Sequence, residues 1–264
     1  MALQQITPAA AEPIHLADAL AQIRQYAGAD DARVLASITA ARSMAENKTW
    51  RQMLGARYRQ TFDGFCAELR LDRAPVQAIE SITYTDMAGV VQPVSAAAYI
   101  ADTTSDPCRI RPAFGAVWPP ELPQINAVTV TFIAGYAAPM IADATANTIT
   151  VKGAWKPLAV GDVVRLTNSG GSLPAPLQLA TDYHIASAEA SGVYTLSATA
   201  NGSAINLTDA GTGQTFFGEI PGDILAWMRL QIGSMDQFRE SEAVGSVSSL
   251  RFTDGLIDAY APWW

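Results

Sequence analysis

Between residues 141 and 217 the chain changes character, and that change constrains the fold more than any other feature of the sequence. The stretch holds three basic residues (Lys152, Lys156, Arg165) and five acidic ones (Asp143, Asp162, Asp182, Glu189, Asp209), set among Thr, Ser, Ala, Gly and Asn. Short alternating runs at 148–151, 163–167, 183–186, 193–197 and 205–207 are separated by turns bearing Gly and Asn. That is the period-two pattern of a small all-β module. Helical spacing then resumes over 219–239, with Ile220, Ile224, Trp227, Met228, Leu230 and Ile232 on one face and Pro221 near the first turn. A β segment that interrupts an otherwise continuous pattern reads as a domain inserted into a loop, so the two flanks belong together.

Upstream, residues 15–26 place Leu16, Leu20 and Ile23 at helical spacing, and residues 30–47 place Val34, Leu35, Ile38, Ala41 and Ala45 on one face. Asp30 and Asp31 sit where carboxylates favour a helix start, and Gly28 marks the junction of an antiparallel helix pair. From residue 57 to 136 the period shortens to strands at 58–62, 68–71, 78–85, 90–94, 109–112 and 127–133. Turn signals lie between them, among them Asp63-Gly64 and Pro119-Pro120. The expected architecture is α+β: an N-terminal helix pair and a final helix packed with a small antiparallel β subdomain, plus an inserted all-β domain. Its divisions are 1–140 with 218–240, the insert 141–217, and a tail 241–264.

A chain of 264 residues with 49% hydrophobic residues can bury a sizeable core and is not wholly disordered. Its formal net charge of -8 argues against tight binding to nucleic-acid phosphates, which needs clustered Lys and Arg. Cys66 and Cys108 have no clustered partners, so they read as reduced, buried and structural rather than as a disulfide or zinc site. The first residues lack a basic region followed by an apolar one, so no signal peptide is expected. The most apolar window, 125–144, alternates and then breaks at Gly135 and Pro139, reading as a strand and turn rather than a membrane span.

Catalytic signatures are absent: no GxSxG, HExxH, Walker A or GxGxxG run occurs. His15 and His184, the two histidines, have no spacing that suggests a triad or metal site. Asp30-Asp31 and the Glu240/Glu242 pair suit helix ends and solvated faces better than acid–base work. The glycine-bearing loops 168–172 and 211–213 precede no helix and read as hairpin turns rather than phosphate cradles. No enzyme activity, cofactor or metal is expected. Arginine outnumbers lysine, fourteen to three, a bias that suits interfaces with carboxylates.

The end of the chain concentrates Leu250, Phe252, Leu256, Ile257, Tyr260, Trp263 and Trp264, with four aromatic residues in the last thirteen positions. Termini are usually polar, so this one is expected either to dock on its own domain or to anchor a partner.

Several collinear segments resemble tailed-phage head–tail connector (adaptor) proteins. They are the opening Met1-Ala-Leu-Gln-Gln-Ile-Thr-Pro with Glu12-Pro-Ile-His-Leu, the second helix, Pro75-Val-Gln-Ala-Ile-Glu-Ser-Ile-Thr-Tyr-Thr-Asp, Asn126-Ala-Val-Thr-Val-Thr-Phe-Ile-Ala-Gly-Tyr, and Ile220-Pro-Gly-Asp-Ile-Leu. The resemblance covers roughly residues 1–140 and 218–264. It implies a ring, usually of twelve copies, beneath the portal of a virion. Such a ring extends the DNA channel, with DNA only as passing cargo, and presents a surface to the next neck, stopper or tail protein. It implies no catalysis and no membrane, and it places the protein in the virion after synthesis in the bacterial host cytoplasm. Relatives usually pass almost directly from the Phe-x-Ala-Gly-Tyr strand to the final helix, whereas here the insert intervenes. The insert resembles β modules of phage tail and fibre proteins. The alternative function is a carbohydrate-binding or adhesive virion β protein, with Trp155, Tyr183 and Tyr194 as candidate sugar-stacking residues.

Overall fold

Along residues 56–62 the side chains of Ala56, Tyr58, Gln60 and Phe62 are buried while Arg57 and Arg59 point to the accessible face, the alternation a half-covered strand requires. A computed structural model of the chain describes residues 2–28, 30–189, 192–238 and 251–262. The first half contains β1 (Ala2–Thr7), α1 (Leu16–Gln22), α2 (Asp31–Thr49), β2 (Ala56–Phe62), β3 (Leu69–Leu71), β4 (Val76–Thr85), β5 (Val91–Pro93), β6 (Tyr99–Asp102), β7 (Cys108–Pro112) and β8 (Val128–Ala134). After these come β9 (Ala137–Asp143), β10 (Thr148–Val151), β11 (Val163–Ser169), β12 (Asp182–Glu189), β13 (Val193–Ser197), β14 (Gln214–Gly218), α3 (Gly222–Gln237) and α4 (Arg251–Asp258). The fold is α+β with an all-β domain.

Five strands form an antiparallel sheet in the order β1-β2-β8-β4-β5, and a smaller sheet, β3-β7-β6, covers it. Their shared core joins Tyr58, Val128, Val130 and Phe132 to Leu69, Leu71, Cys108 and Ile110. Burial holds the Cys108 thiol up at about 12. Cys66 departs from expectation: it lies exposed in the β2–β3 turn, its thiol donating to the Glu68 carbonyl at 2.9 Å.

A second core is helical. Val34, Ile38, Ala41 and Ala45 of α2 meet Ile224, Trp227, Met228 and Ile232 of α3, with Ile14, Ala19 and Leu20 from the α1 segment. The helix expected to reach Tyr26 stops at Gln22 because Arg24 turns left-handed (φ 56) and the Gln25 N–H reaches back to the Leu20 carbonyl.

The third core fills a closed six-stranded barrel, β10-β13-β12-β11-β14-β9. Its first strand starts at Ala137, ahead of residue 141, and runs through Pro139, where the sequence pattern suggested a break. The bend that redirects the chain from β8 into the barrel falls at Gly135 (φ 146), where a Cβ would lie 2.6 Å from the Gly55 nitrogen. β14 pairs with β9 in the register Phe217↔Ala138 and Gly218↔Ala137, so the chain enters and leaves the barrel at adjacent positions. Adjacent ends are what allow a domain to be inserted without disturbing its host. Residues 205–207, expected as a strand, form none. Ile205 donates to the Leu196 carbonyl and Leu207 to Asn147 Oδ1, which lets Leu207 plug the barrel core from a loop.

One strand serves two cores. Because successive side chains in a strand point to opposite faces, Phe217 faces into the barrel and Phe216 faces the helices. That alternation welds the insert to its host.

Candidate interface at the C-terminal helix

α4 lies against α2 and α3. Ile257 is fully buried in the helical core, and Leu256 and Tyr260 pack against the same cluster half-buried. Of the seven residues expected to form a partner surface, these three are therefore held by their own chain. Phe252 falls within the helix, but its side chain lies outside the described residues, as do Leu250, Trp263 and Trp264 altogether.

Two cations clamp the helix in place. Lys48 closes the last turn of α2, where a positive charge suits the helix dipole, and its Nζ donates to Asp254 Oδ1 at 2.6 Å and lies 3.4 Å from Asp258 Oδ1. The hydrogen bond to Asp254 raises the lysine pKa. Arg51 joins three segments: its Nε donates to the Tyr260 carbonyl (3.1 Å), its Nη1 to the Tyr136 hydroxyl (2.9 Å), and its Nη2 lies 2.5 Å from Asp106 Oδ2. Its guanidinium also sits over the Tyr260 ring, 5.8 Å from the centroid. Burial raises the Tyr136 phenol despite this contact. Nothing in the local sequence around Arg51 marks it as a hub. Only the meeting of residues 51, 106, 136 and 260 reveals it.

Below the α2 terminus a polar network crosses the interior. Glu46 accepts from Arg42 Nη1 (2.9 Å), Gln52 Nε2 (2.8 Å) and the Met53 N–H (3.2 Å). Burial pushes its carboxyl up, partly opposed by Arg42. Tyr58 donates to Gln52 Oε1 and is itself held at about 12, chiefly by burial. These groups pin the α2–β2 junction through satisfied buried hydrogen bonds.

The barrel meets α1 at a second polar contact. Ser169 Oγ accepts from the His15 N–H (2.8 Å) and donates to Asp18 Oδ2 (2.6 Å). His15 acts as the N-cap of α1, its Nδ1 accepting from Ala17 N–H. The loops 168–172 and 211–213 bind each other, Asn168 Nδ2 donating to the carbonyls of Ser172 and Thr212.

Two of the three candidate sugar-stacking rings are core residues. Tyr183 and Tyr194 are each 5% exposed, with hydroxyls accepting from Gln178 N–H and Leu158 N–H. Trp155 remains half-buried beside a cavity of about 410 Å³ that Lys156 and Glu189 also line. Among the described residues no three His, Cys, Asp or Glu side chains are grouped to hold a metal ion, and no helix is long and apolar enough to cross a membrane.

The arrangement belongs to the class of α+β bodies that carry an inserted, closed β-barrel. Solved structures with this fold come from gene transfer agent particles. A chain from the virion of the native particle matches with TM-score 0.56 and 17% identity. One from the neck of the empty particle, computed with C6 symmetry, matches with TM-score 0.55 and 17% identity. A third, from the neck of the native particle computed with C12 symmetry, matches with TM-score 0.51 and 18% identity. Each alignment covers 99% of this chain and 95% of the other. At such identities the likeness is one of fold, and it spans the barrel as well as its flanks. No family model matches the chain, and no curated protein matches it.

Proposed function

We propose that this protein is a structural subunit of a phage-like neck, a head–tail adaptor that assembles as a ring beneath the portal, extends the DNA channel and joins the head to the neck or tail. The observation that carries the reading is the full-length likeness of fold, insert included, to chains of gene transfer agent particles, two of them neck assemblies with C6 and C12 symmetry. A ring of twelve copies agrees with the C12 neck. The collinear segments that resemble connector proteins point the same way.

In this reading the partners are further copies of the chain, the portal protein, and the next neck, stopper or tail protein. The protein is made in the bacterial host cytoplasm and resides in the virion neck. A net charge of -8 suits a channel through which DNA passes as cargo, since few cations are left to hold phosphates. The chain works without catalysis, cofactor or membrane. Residues 250–264 supply the portal anchor. Because Ile257 is fully buried in its own chain, an anchor that uses it must first peel α4 away, at a cost of about 1.5–3 kcal/mol for that side chain. An anchor that does not use Ile257 avoids that cost.

Cryo-electron imaging of portal-bearing particles mixed with the full chain tests the proposal. A ring seated under the portal is the expected result, and its loss on truncation before residue 250 would assign the anchor. Particles whose vertices stay bare with every neck partner present would overturn it.

A further inference from the structure

The rim of the barrel after β13 carries the one Asn-Gly pair in the sequence, Asn201-Gly202. The chain reverses there in a four-residue turn, Thr199 to Gly202, closed by the Gly202 N–H donating to the Thr199 carbonyl at 2.9 Å. Of its two central residues only Asn201 has a positive φ, 59°, which makes the turn type II and favours asparagine over most other side chains at that position. Gly202 is favoured for a different reason: a Cβ there would lie 2.6 Å from Thr199 Oγ1 and 3.0 Å from the Thr199 carbonyl oxygen. Turn geometry thus favours both members of the pair. The turn is also braced from the barrel wall, because the hydroxyl of Ser197, fully buried, donates to the same Thr199 carbonyl at 2.8 Å. Asn201 itself is exposed to water.

That pair carries a reaction that needs only water. Residue 202 has no side chain to shield its nitrogen, which on losing its proton to a solvent base can attack Asn201 Cγ. The N–Cγ bond forms, the Cγ–Nδ2 bond breaks, and Nδ2 leaves as ammonia after taking a proton from solvent, so that a five-membered succinimide remains. Water then adds to one of its two carbonyls. Cleavage of the N–Cγ bond gives aspartate, and cleavage of the bond from that nitrogen to the Asn201 main-chain carbonyl carbon gives isoaspartate. Asparagine plus water becomes a carboxylate plus ammonium, with no change of oxidation state. The native turn opposes ring closure twice. The attacking nitrogen has its proton committed to Thr199. The second central residue of a type II turn also has ψ of about 0°, which eclipses the Gly202 nitrogen with the Asn201 nitrogen, whereas ring closure needs it eclipsed with Cβ.

We propose that Asn201 is a deamidation site held closed by the native turn, converting to aspartate and isoaspartate through opening of residues 199–202. The proposal is independent of the ring reading. Conversion adds a negative charge to the barrel rim, and the isoaspartate product also lengthens the main chain by a methylene, which the hydrogen bond from Gly202 to Thr199 cannot span unchanged. The loop that follows is the one through which Ile205 bonds to Leu196 and Leu207 plugs the barrel core. The change therefore falls next to the plug of the barrel.

The test incubates the full chain in mildly alkaline buffer, native and in guanidinium chloride at the same pH and temperature. Position 201 is followed by peptide mass spectrometry, with electron-transfer fragmentation to separate isoaspartate from aspartate. Conversion in the native chain is expected to be slower by about tenfold or more, a ratio set by the opening equilibrium of the turn. Hydrogen exchange gives a second reading without any variant: the Gly202 amide should be protected by a similar factor, since both reactions need its N–H released from Thr199. Ser197→Ala, which takes one donor from the Thr199 carbonyl, is expected to speed native conversion severalfold and to leave the rate in denaturant unchanged. Equal rates in the native and denatured chain, or an unprotected Gly202 amide, would overturn the gating role of the turn. Absence of conversion at residue 201 in denaturant would overturn the site itself.

Discussion

The barrel and the body that carries it solve the same problem in opposite ways. Every barrel strand is paired on both sides, and its core is drawn from one stretch of chain, from Met140 to Phe217. The body's main sheet keeps two open edges, β1 and β5. Its helical core is gathered from Ile14, α2, Met53, Phe216, α3 and Ile257, segments more than two hundred residues apart in sequence. A closed sheet has no edges left to offer, whereas an open one with exposed apolar turns retains surface for assembly. The comparison teaches that the insert draws its core from one stretch of its own chain, whereas the host's core is assembled from segments far apart in sequence.

Phe216 and Phe217 break that comparison most sharply, being neighbours on opposite faces of one strand. Phe217→Ala is expected to cost about 3–5 kcal/mol in the barrel, and Phe216→Ala a similar amount in the helical body. Differential scanning calorimetry should show different parts of the melting profile moving in the two variants. The same experiment on residues 137–218 alone should show a cooperative transition if the barrel is self-sufficient, and no transition if it depends on the helices.

Gly170→Ala probes the seam itself. At φ 74 a Cβ would lie 2.3 Å from His15 Nδ1, so about 1–3 kcal/mol should be lost. Hydrogen exchange should locate the loosening at α1 and the 168–172 loop rather than in the barrel core.

Glu46 gives the body a dependence on pH. Its folded pKa is raised by burial, so the stability it contributes is full below the ordinary glutamate value and is lost as pH rises through the folded one. Urea unfolding should therefore show a downward contribution with rising pH, at most about 1.4 kcal/mol per pH unit from one group. Glu46→Gln is expected to abolish that contribution. Asp102 works in the opposite sense: Thr104 and Arg109 depress it, and the stability it adds disappears as pH falls through its lowered value.

Lys48→Ala should have the smallest effect on global stability, 0 to about 1 kcal/mol, because its partners Asp254 and Asp258 are mostly solvent-exposed. Its informative readout is local. Faster amide exchange confined to α4 would show that the C-terminal helix can be released while the core stays folded.

Much of this plan was legible because side-chain periodicity is a local property. The core face of α2, the alternation in β2 and β8, and the charge-poor insert follow from spacing and composition alone. β1 was not legible, since Ala-Leu-Gln-Gln-Ile-Thr has no pattern of its own and becomes a strand only by pairing with β2. β9 was obscured by Pro139, which sits in a paired strand although it lacks an N–H to donate. The aromatic C-terminus was conspicuous, yet the sequence left open whether it docks on its own chain. Packing places Leu256, Ile257 and Tyr260 on their own core. Phe114, fully exposed in the structure, gave no signal, because a loop phenylalanine reads alike whether buried or exposed.

By itself, then, the sequence determined that α2 and α3 are helical and that β2, β4 and β8 are extended, that a β domain interrupts an α+β one, and that no familiar catalytic motif is present. Closure of the barrel through β14 and β9, the shared service of Phe216 and Phe217, the hub at Arg51 and the solvent-facing Phe114 were decided only in the tertiary structure. Each depends on which distant segments meet, and that is set by the summed burial and hydrogen bonding of the whole chain rather than by any local run of residues.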